Sequence, residues 1–137
     1  MNLFDVAMVV ADTSRTKHYL KELIKSELLP NYVLLLMNSN NDLLPGQTEI
    51  ANENELVALL KSSGIKFEIA PNGNINSDEI IKIIESRLEQ VFIFSGYGGL
   101  LLKDRILDTG KKFLHVHGGY LPDYKGSTTN YYSLIDE

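Results

Sequence analysis

Two histidines separated by one residue, His115 and His117, are followed at once by Gly118 and Gly119. Successive side chains of a strand face opposite ways, so in the run Phe113 to His117 both rings fall on one face, about 7 Å apart. At the end of a strand that turns through two glycines, such a pair faces the space where a backbone can come close to a ligand. Imidazole can move protons near neutral pH, donate a hydrogen bond to a developing negative charge, or bind a metal. Three uses stay open on the residues alone. One ring can cap a loop while the other sits in the core, the pair can bind a metal with Asp123 as third ligand, or the pair can act in catalysis. The spacing matches no strong metal signature, and no metal is expected. His18 is expected on the exposed side of a helix.

The elements that must position this pair read as an alternation. Leu3 to Val10 is a β-branched run of strand length, and Asp12, Thr13 and Ser14 after it are good helix caps. Tyr19, Leu20, Leu23, Ile24 and Leu28 repeat at helical spacing over 15–29, with Pro30 as the expected stop. Tyr32 to Met37 is an uninterrupted apolar strand, of the kind that parallel sheets cover on both faces. A polar stretch, Asn38 to Asn52, leads to a helix over 53–63 that Gly64 caps, and then to a strand over Ile65 to Ala70. Pro71 to Asn76 is turn-rich. Ser77 or Asp78 starts a third helix to about Leu88, and Val91 to Phe94 is a fourth strand. A short helical segment around Leu101 to Leu107 and a basic turn at Lys111 and Lys112 lead to a fifth strand, Phe113 to His117, central in the sheet. The fold class is α/β, a Rossmann-like parallel β-sheet with helices on both faces, in a single domain over 1–137. Ligands of such sheets bind beyond the carboxyl ends of the strands, which is where the histidines are expected.

Composition narrows the partners. The 137 residues are 44% hydrophobic and 23% charged, the balance of a soluble globular domain. A net charge of -5 without a Lys or Arg cluster argues against nucleic acid. Cysteine is absent, which excludes disulfide and thiolate chemistry and fits a cytoplasmic location. Met1 to Val10 carries Asp5 and lacks a basic leader, so no signal peptide is expected, and no apolar run reaches membrane-spanning length.

The full run His115-Val116-His117-Gly118-Gly119-Tyr120-Leu121-Pro122-Asp123-Tyr124-Lys125-Gly126 resembles the signature of the formyltetrahydrofolate-dependent formyltransferases. There an Asn-x-His pair precedes small residues, Leu-Leu-Pro, a basic or polar residue, an aromatic, a basic residue and Gly. Upstream, Phe94 to Lys103 with Ile106 and Leu107 resembles the family's aromatic-glycine-leucine segment that wraps the folate pterin ring. The resemblance is specific over 92–134 and extends to 1–90 only in element order.

The resemblance implies the formyltransferase fold, incomplete at its carboxyl end, with formyl-tetrahydrofolate as formyl donor and an amine as acceptor. It makes His117 the catalytic histidine and puts His115 where the family has Asn, with an oxyanion hydrogen-bond donor as its role. Tyr97, Gly98, Gly99, Leu100, Leu101 and Leu102 are implied to line the folate pocket, and Gly118, Gly119, Tyr120 and Lys125 to bind substrate. The family's third catalytic residue, an Asp that orients the histidine, lies some tens of residues further on, and no residue here matches it. The expectation is therefore a fragment of a longer enzyme, inactive by itself, or else a relative that binds folate without catalysis. A half domain with an uncovered edge is expected to dimerise.

Family members formylate methionyl-tRNA, glycinamide ribonucleotide or nucleotide-linked amino sugars. Between Lys25 and Lys61 there is no Lys or Arg, which disfavours tRNA and favours an amino sugar. Tyr131 and Tyr132 can stack on a sugar or base, or pack their own helix.

Overall fold

The computed structural model describes residues 1–36 and 55–116. Five parallel strands, β1 (Asn2–Ala11), β2 (Leu29–Leu36), β3 (Phe67–Ile69), β4 (Val91–Ser95) and β5 (Lys112–Leu114), form one sheet in the order β3-β2-β1-β4-β5. The connecting helices are α1 (Ser14–Lys25), α2 (Glu55–Ser63), α3 (Asp78–Ser86) and α4 (Asp104–Leu107). Chain order reverses between β1 and β4, and at such a switch point helices leave towards opposite faces and open a crevice at the strands' carboxyl ends.

The period of two in the strands builds two cores. Met8, Val10, Val33 and Leu35 pack with Leu20 of α1 and with Leu56 and Leu60 of α2. Their neighbours Ala7, Val9, Leu34, Leu36, Phe92 and Phe94 pack on the other face with Ile80, Ile81 and Ile84 of α3 and Ile106 of α4. The continuous apolar runs are thus buried on both faces, as the sequence pattern predicts.

Several boundaries differ from that pattern. Thr13 caps α1, its side chain accepting the Thr16 N–H at 3.2 Å. The helix ends at Lys25, not near Leu29, because Glu27 turns left-handed (φ 58°) and the Leu28 N–H bonds back to the Leu23 carbonyl at 2.9 Å. Pro30 is no helix stop. It is the second residue of β2, paired with Leu3, and lies before the stretch that pairs with β3, where its missing N–H breaks no ladder to that strand. Gly64 ends α2 at φ 72°, as expected. Ser77 caps α3, accepting from the Ile80 N–H at 3.4 Å, but the helix stops at Ser86 and Leu88 is 90% exposed instead of completing its apolar face. The expected strand over 65–70 shortens to three residues, and α4 begins only at Asp104.

β5 departs furthest. It stops at Leu114, so His115 lies just past the strand, and among the described residues β5 is an edge and not a central strand. His117 and 118–137 lie outside the described residues, as do Met37 and the polar stretch after β2.

Candidate functional site at the carboxyl end of the sheet

At the end of β4 three consecutive carbonyls are each held by a side chain. The His115 ring nitrogen Nδ1 is 3.1 Å from the Phe94 oxygen, the Thr16 hydroxyl donates to the Ser95 oxygen at 3.3 Å, and Arg15 Nη2 donates to the Gly96 oxygen at 2.8 Å. Thr16, fully buried, also shares a 2.8 Å hydrogen bond with the Ser95 hydroxyl. The first turn of α1 thereby spans the crevice from β1 to β4. Neither Arg15 nor Thr16 stands out in the sequence, where both read as ordinary helix-start residues. Their function emerges only when the strands are side by side.

Gly96 is fixed by space. A Cβ there would lie 2.4 Å from the Phe94 ring, which is itself part of the core. Past it, Tyr97 packs against the core and directs its hydroxyl to the Leu36 carbonyl at the end of β2, 3.5 Å away. Burial pushes that hydroxyl above its ordinary value, although a hydrogen bond with the Asp12 backbone opposes this, so it remains a neutral donor. Gly99 takes the left-handed conformation (φ 79°), and the Leu100 N–H closes a turn onto the Tyr97 carbonyl at 3.2 Å. Leu100 and Leu102 pack on the core while Leu101 between them is 75% exposed. The segment 97–102 is therefore a shaped wall with an apolar outward face, beside the carboxyl ends of β2 and β4.

A carbonyl only accepts, so at His115 the proton of the 3.1 Å contact sits on Nδ1. The neutral ring then offers Nε2 as a proton acceptor, and Nε2 donates only in the imidazolium form. With Nδ1–H turned to the Phe94 carbonyl, the oxyanion-donor role expected of His115 is available from Nε2 only when the ring is charged. The ring also lies against Phe94, centroids 6.1 Å apart. Of the expected site, 97–102 and His115 are brought to the same end of β4. His117, Gly118, Gly119, Tyr120, Lys125 and Asp123 lie outside the described residues, among which no three His, Asp or Glu side chains group as metal ligands.

No family model matches the chain. Over 64 residues, 46% of this chain and 20% of the other, it is 41% identical to the methionyl-tRNA formyltransferase of Finegoldia magna. The phosphoribosylglycinamide formyltransferase of Anaplasma phagocytophilum superposes with a TM-score of 0.61 over 96% of this chain and 57% of its own, at 14% identity. That of Streptococcus pneumoniae gives 0.62 over 98% and 67%, at 12% identity. This is the formyltransferase fold. In sequence and in fold the chain is similar to formyltransferases, and it spans only part of their length. It covers less than two thirds of the Anaplasma enzyme and a fifth of the Finegoldia one. As this chain builds the fold, the carbonyls of Phe94, Ser95 and Gly96 at the end of β4 are satisfied by His115 and by the first turn of α1. No helix among the described residues is long and apolar enough to cross a membrane.

Proposed function

We propose that the chain is the amino-terminal part of an enzyme that transfers a formyl group from formyl-tetrahydrofolate to an amine. The observation that carries this reading is the shaped wall 97–102 at the carboxyl end of β4, adjoining His115, in a chain 41% identical over 64 residues to a formyltransferase. In the reaction the acceptor nitrogen attacks the formyl carbon and the carbonyl oxygen takes up negative charge. The amine's proton passes to a base and from it to the folate nitrogen as the bond from carbon to that nitrogen breaks, yielding the formylated acceptor and tetrahydrofolate. His117 is the proton-handling group of this proposal. His115 supports it through Nε2, as acceptor when neutral and as oxyanion donor when charged. Gly118, Gly119, Tyr120 and Lys125 hold the acceptor, and Tyr97 to Leu102 receive the folate.

For the acceptor the proposal is a nucleotide-linked amino sugar, supported by the absence of Lys and Arg between Lys25 and Lys61. A second reading, methionyl-tRNA, is favoured by the name of the Finegoldia relative. The surroundings proposed are cytoplasmic, and the enzyme a homodimer. The deciding experiment offers the full-length protein formyl-tetrahydrofolate with a nucleotide-linked amino sugar, methionyl-tRNA or glycinamide ribonucleotide, and follows tetrahydrofolate release. Turnover with the amino sugar alone is expected. Turnover with methionyl-tRNA alone overturns the acceptor assignment. Binding of folate without turnover on any of the three replaces the enzyme by a folate-binding module of the same fold.

A further inference from the structure

Between β3 and α3 an asparagine stands at every second position, Asn72, Asn74 and Asn76. Asn72 Oδ1 accepts the Asn74 N–H at 2.8 Å and the Ser77 hydroxyl at 3.2 Å, and Asn74 Oδ1 accepts the Asn76 N–H at 3.0 Å. Ile75 between them is fully buried in the core. Asn76 is thus held from both sides, and its amide faces a segment far away in the chain. Its Nδ2 donates to the Leu101 carbonyl at 2.8 Å while its Oδ1 accepts the Lys103 N–H, also at 2.8 Å. A primary amide carries a donor and an acceptor in one plane, so it replaces the hydrogen-bonding edge of a neighbouring strand for 101–103. An ion pair from Arg105 to Asp78 fastens the start of α4 to the start of α3 beside it.

The geometry, together with the reading of 97–102 as the folate wall, points to Asn76 as a positioning residue. It fixes the backbone around Leu101 so that this exposed side chain presents a preformed apolar surface to the folate ring. Without the clamp, the packing of Leu100 and Leu102 and the turn at Tyr97 remain, but nothing bonds the Leu101 carbonyl and the Lys103 N–H to α3's side of the sheet. Part of the binding free energy then goes into ordering it.

The test uses the full-length protein with Asn76→Ala and, for comparison, Asn74→Ala, which removes a local turn bond and leaves the clamp partners in place. Tetrahydrofolate affinity is measured by calorimetry, amide exchange is followed at Lys103, and both variants are melted. Loss of two ordinary hydrogen bonds predicts affinity weakened about 5- to 30-fold for Asn76→Ala, faster Lys103 exchange, and a larger change in KM for the donor than in kcat. Asn74→Ala is expected to weaken affinity less than about threefold. Faster Lys103 exchange with unchanged affinity overturns the positioning role. So does a loss of affinity that simply tracks the loss of melting temperature across both variants. A wild-type protein whose Lys103 is protected by Asn76, yet which binds no tetrahydrofolate, overturns the folate reading and with it the purpose assigned to the clamp.

Discussion

The two ends of the sheet are held by different chemistry. At the amino end, charged groups saturate one another. Glu89, only 1% exposed, accepts from Arg87 Nε at 3.0 Å, Arg87 Nη2 at 2.6 Å and Asn31 Nδ2 at 2.7 Å. The Arg87 guanidinium lies 3.8 Å over the Tyr32 ring, whose hydroxyl donates to Glu68 at 2.8 Å. Lys111 closes the cluster by donating to the Arg87 and Glu89 carbonyls at 2.6 and 2.9 Å, tying the turn before β5 to the one before β4. At the carboxyl end, side chains mostly hold the main chain, the carbonyls of Phe94, Ser95 and Gly96 each by one residue and the backbone of 101–103 by Asn76. Arg15 Nε keeps no hydrogen-bond partner among the described residues, and His115 keeps a nitrogen free of the Phe94 contact. A closed network stabilises and offers a ligand nothing. Under the proposed function the amino end supplies stability, and the carboxyl end, where Nε2 of His115 is not taken by the Phe94 carbonyl, supplies the chemistry.

The largest effect that would sharpen this division is expected at the carboxyl end. His117→Ala in the full-length protein should lower turnover by about 100- to 10,000-fold, the usual contribution of a positioned acid or base. A melt of the same preparation separates loss of rate from loss of fold. Turnover equal to that of the wild type would remove His117 from the mechanism.

The amino end should show the converse, with stability lost and chemistry kept. Glu89→Ala leaves the Arg87 guanidinium without its carboxylate and should destabilise by about 3 kcal/mol, read as a lower urea midpoint with turnover of the folded enzyme unchanged. The effect has a defined pH window. Arg87 above all, with Asn31, holds the Glu89 carboxyl down from 4.5 to about 2 although burial opposes this. A depressed carboxyl contributes stability that is present above its unfolded value and is lost as pH falls through its folded one. The advantage of wild type over Glu89→Gln, about 2 kcal/mol near neutrality, should therefore shrink between pH 4.5 and 2. An advantage independent of pH would mean that packing and not charge holds this end.

The two ends were also unequally legible in the sequence. Apolar runs of strand length gave the alternation and the parallel sheet, because burial on both faces leaves a local signature at Ala7 to Ala11 and at Tyr32 to Leu36. Gly64 and Ser77 were readable as caps for the same local reason. Pro30 misled, since a proline marks a boundary without saying whether a helix ends or a strand begins, and the left-handed Glu27 that ends α1 has no sequence signal of its own. The strand expected through His117 stops at Leu114, which pairs with Ile93, although β4 itself runs on to Ser95 beside β1. Asn76 with Leu101, Arg15 with Gly96 and Lys111 with Glu89 join positions 22 or more apart, and no window along the chain contains both members. Resemblance to a family supplied 97–102 and His115. The residues that hold them in place came from the fold.

The smallest expected effect concerns His115 and tests the carboxyl end most finely. If Nδ1–H is committed to the Phe94 carbonyl, the ring contributes to catalysis through Nε2, whose role changes with protonation. Asn at this position can keep the contact with that carbonyl through its amide, but it has no proton to gain or lose. His115→Asn should therefore stay within about tenfold of wild-type turnover, since the side chain supports His117 and does not replace it. What should change is the pH dependence of kcat/KM, because Asn at this position cannot exchange a proton. Profiles of identical shape in the two proteins would show that Nε2 takes no part, leaving His115 as a clamp on β4 of the same kind as Thr16 and Arg15.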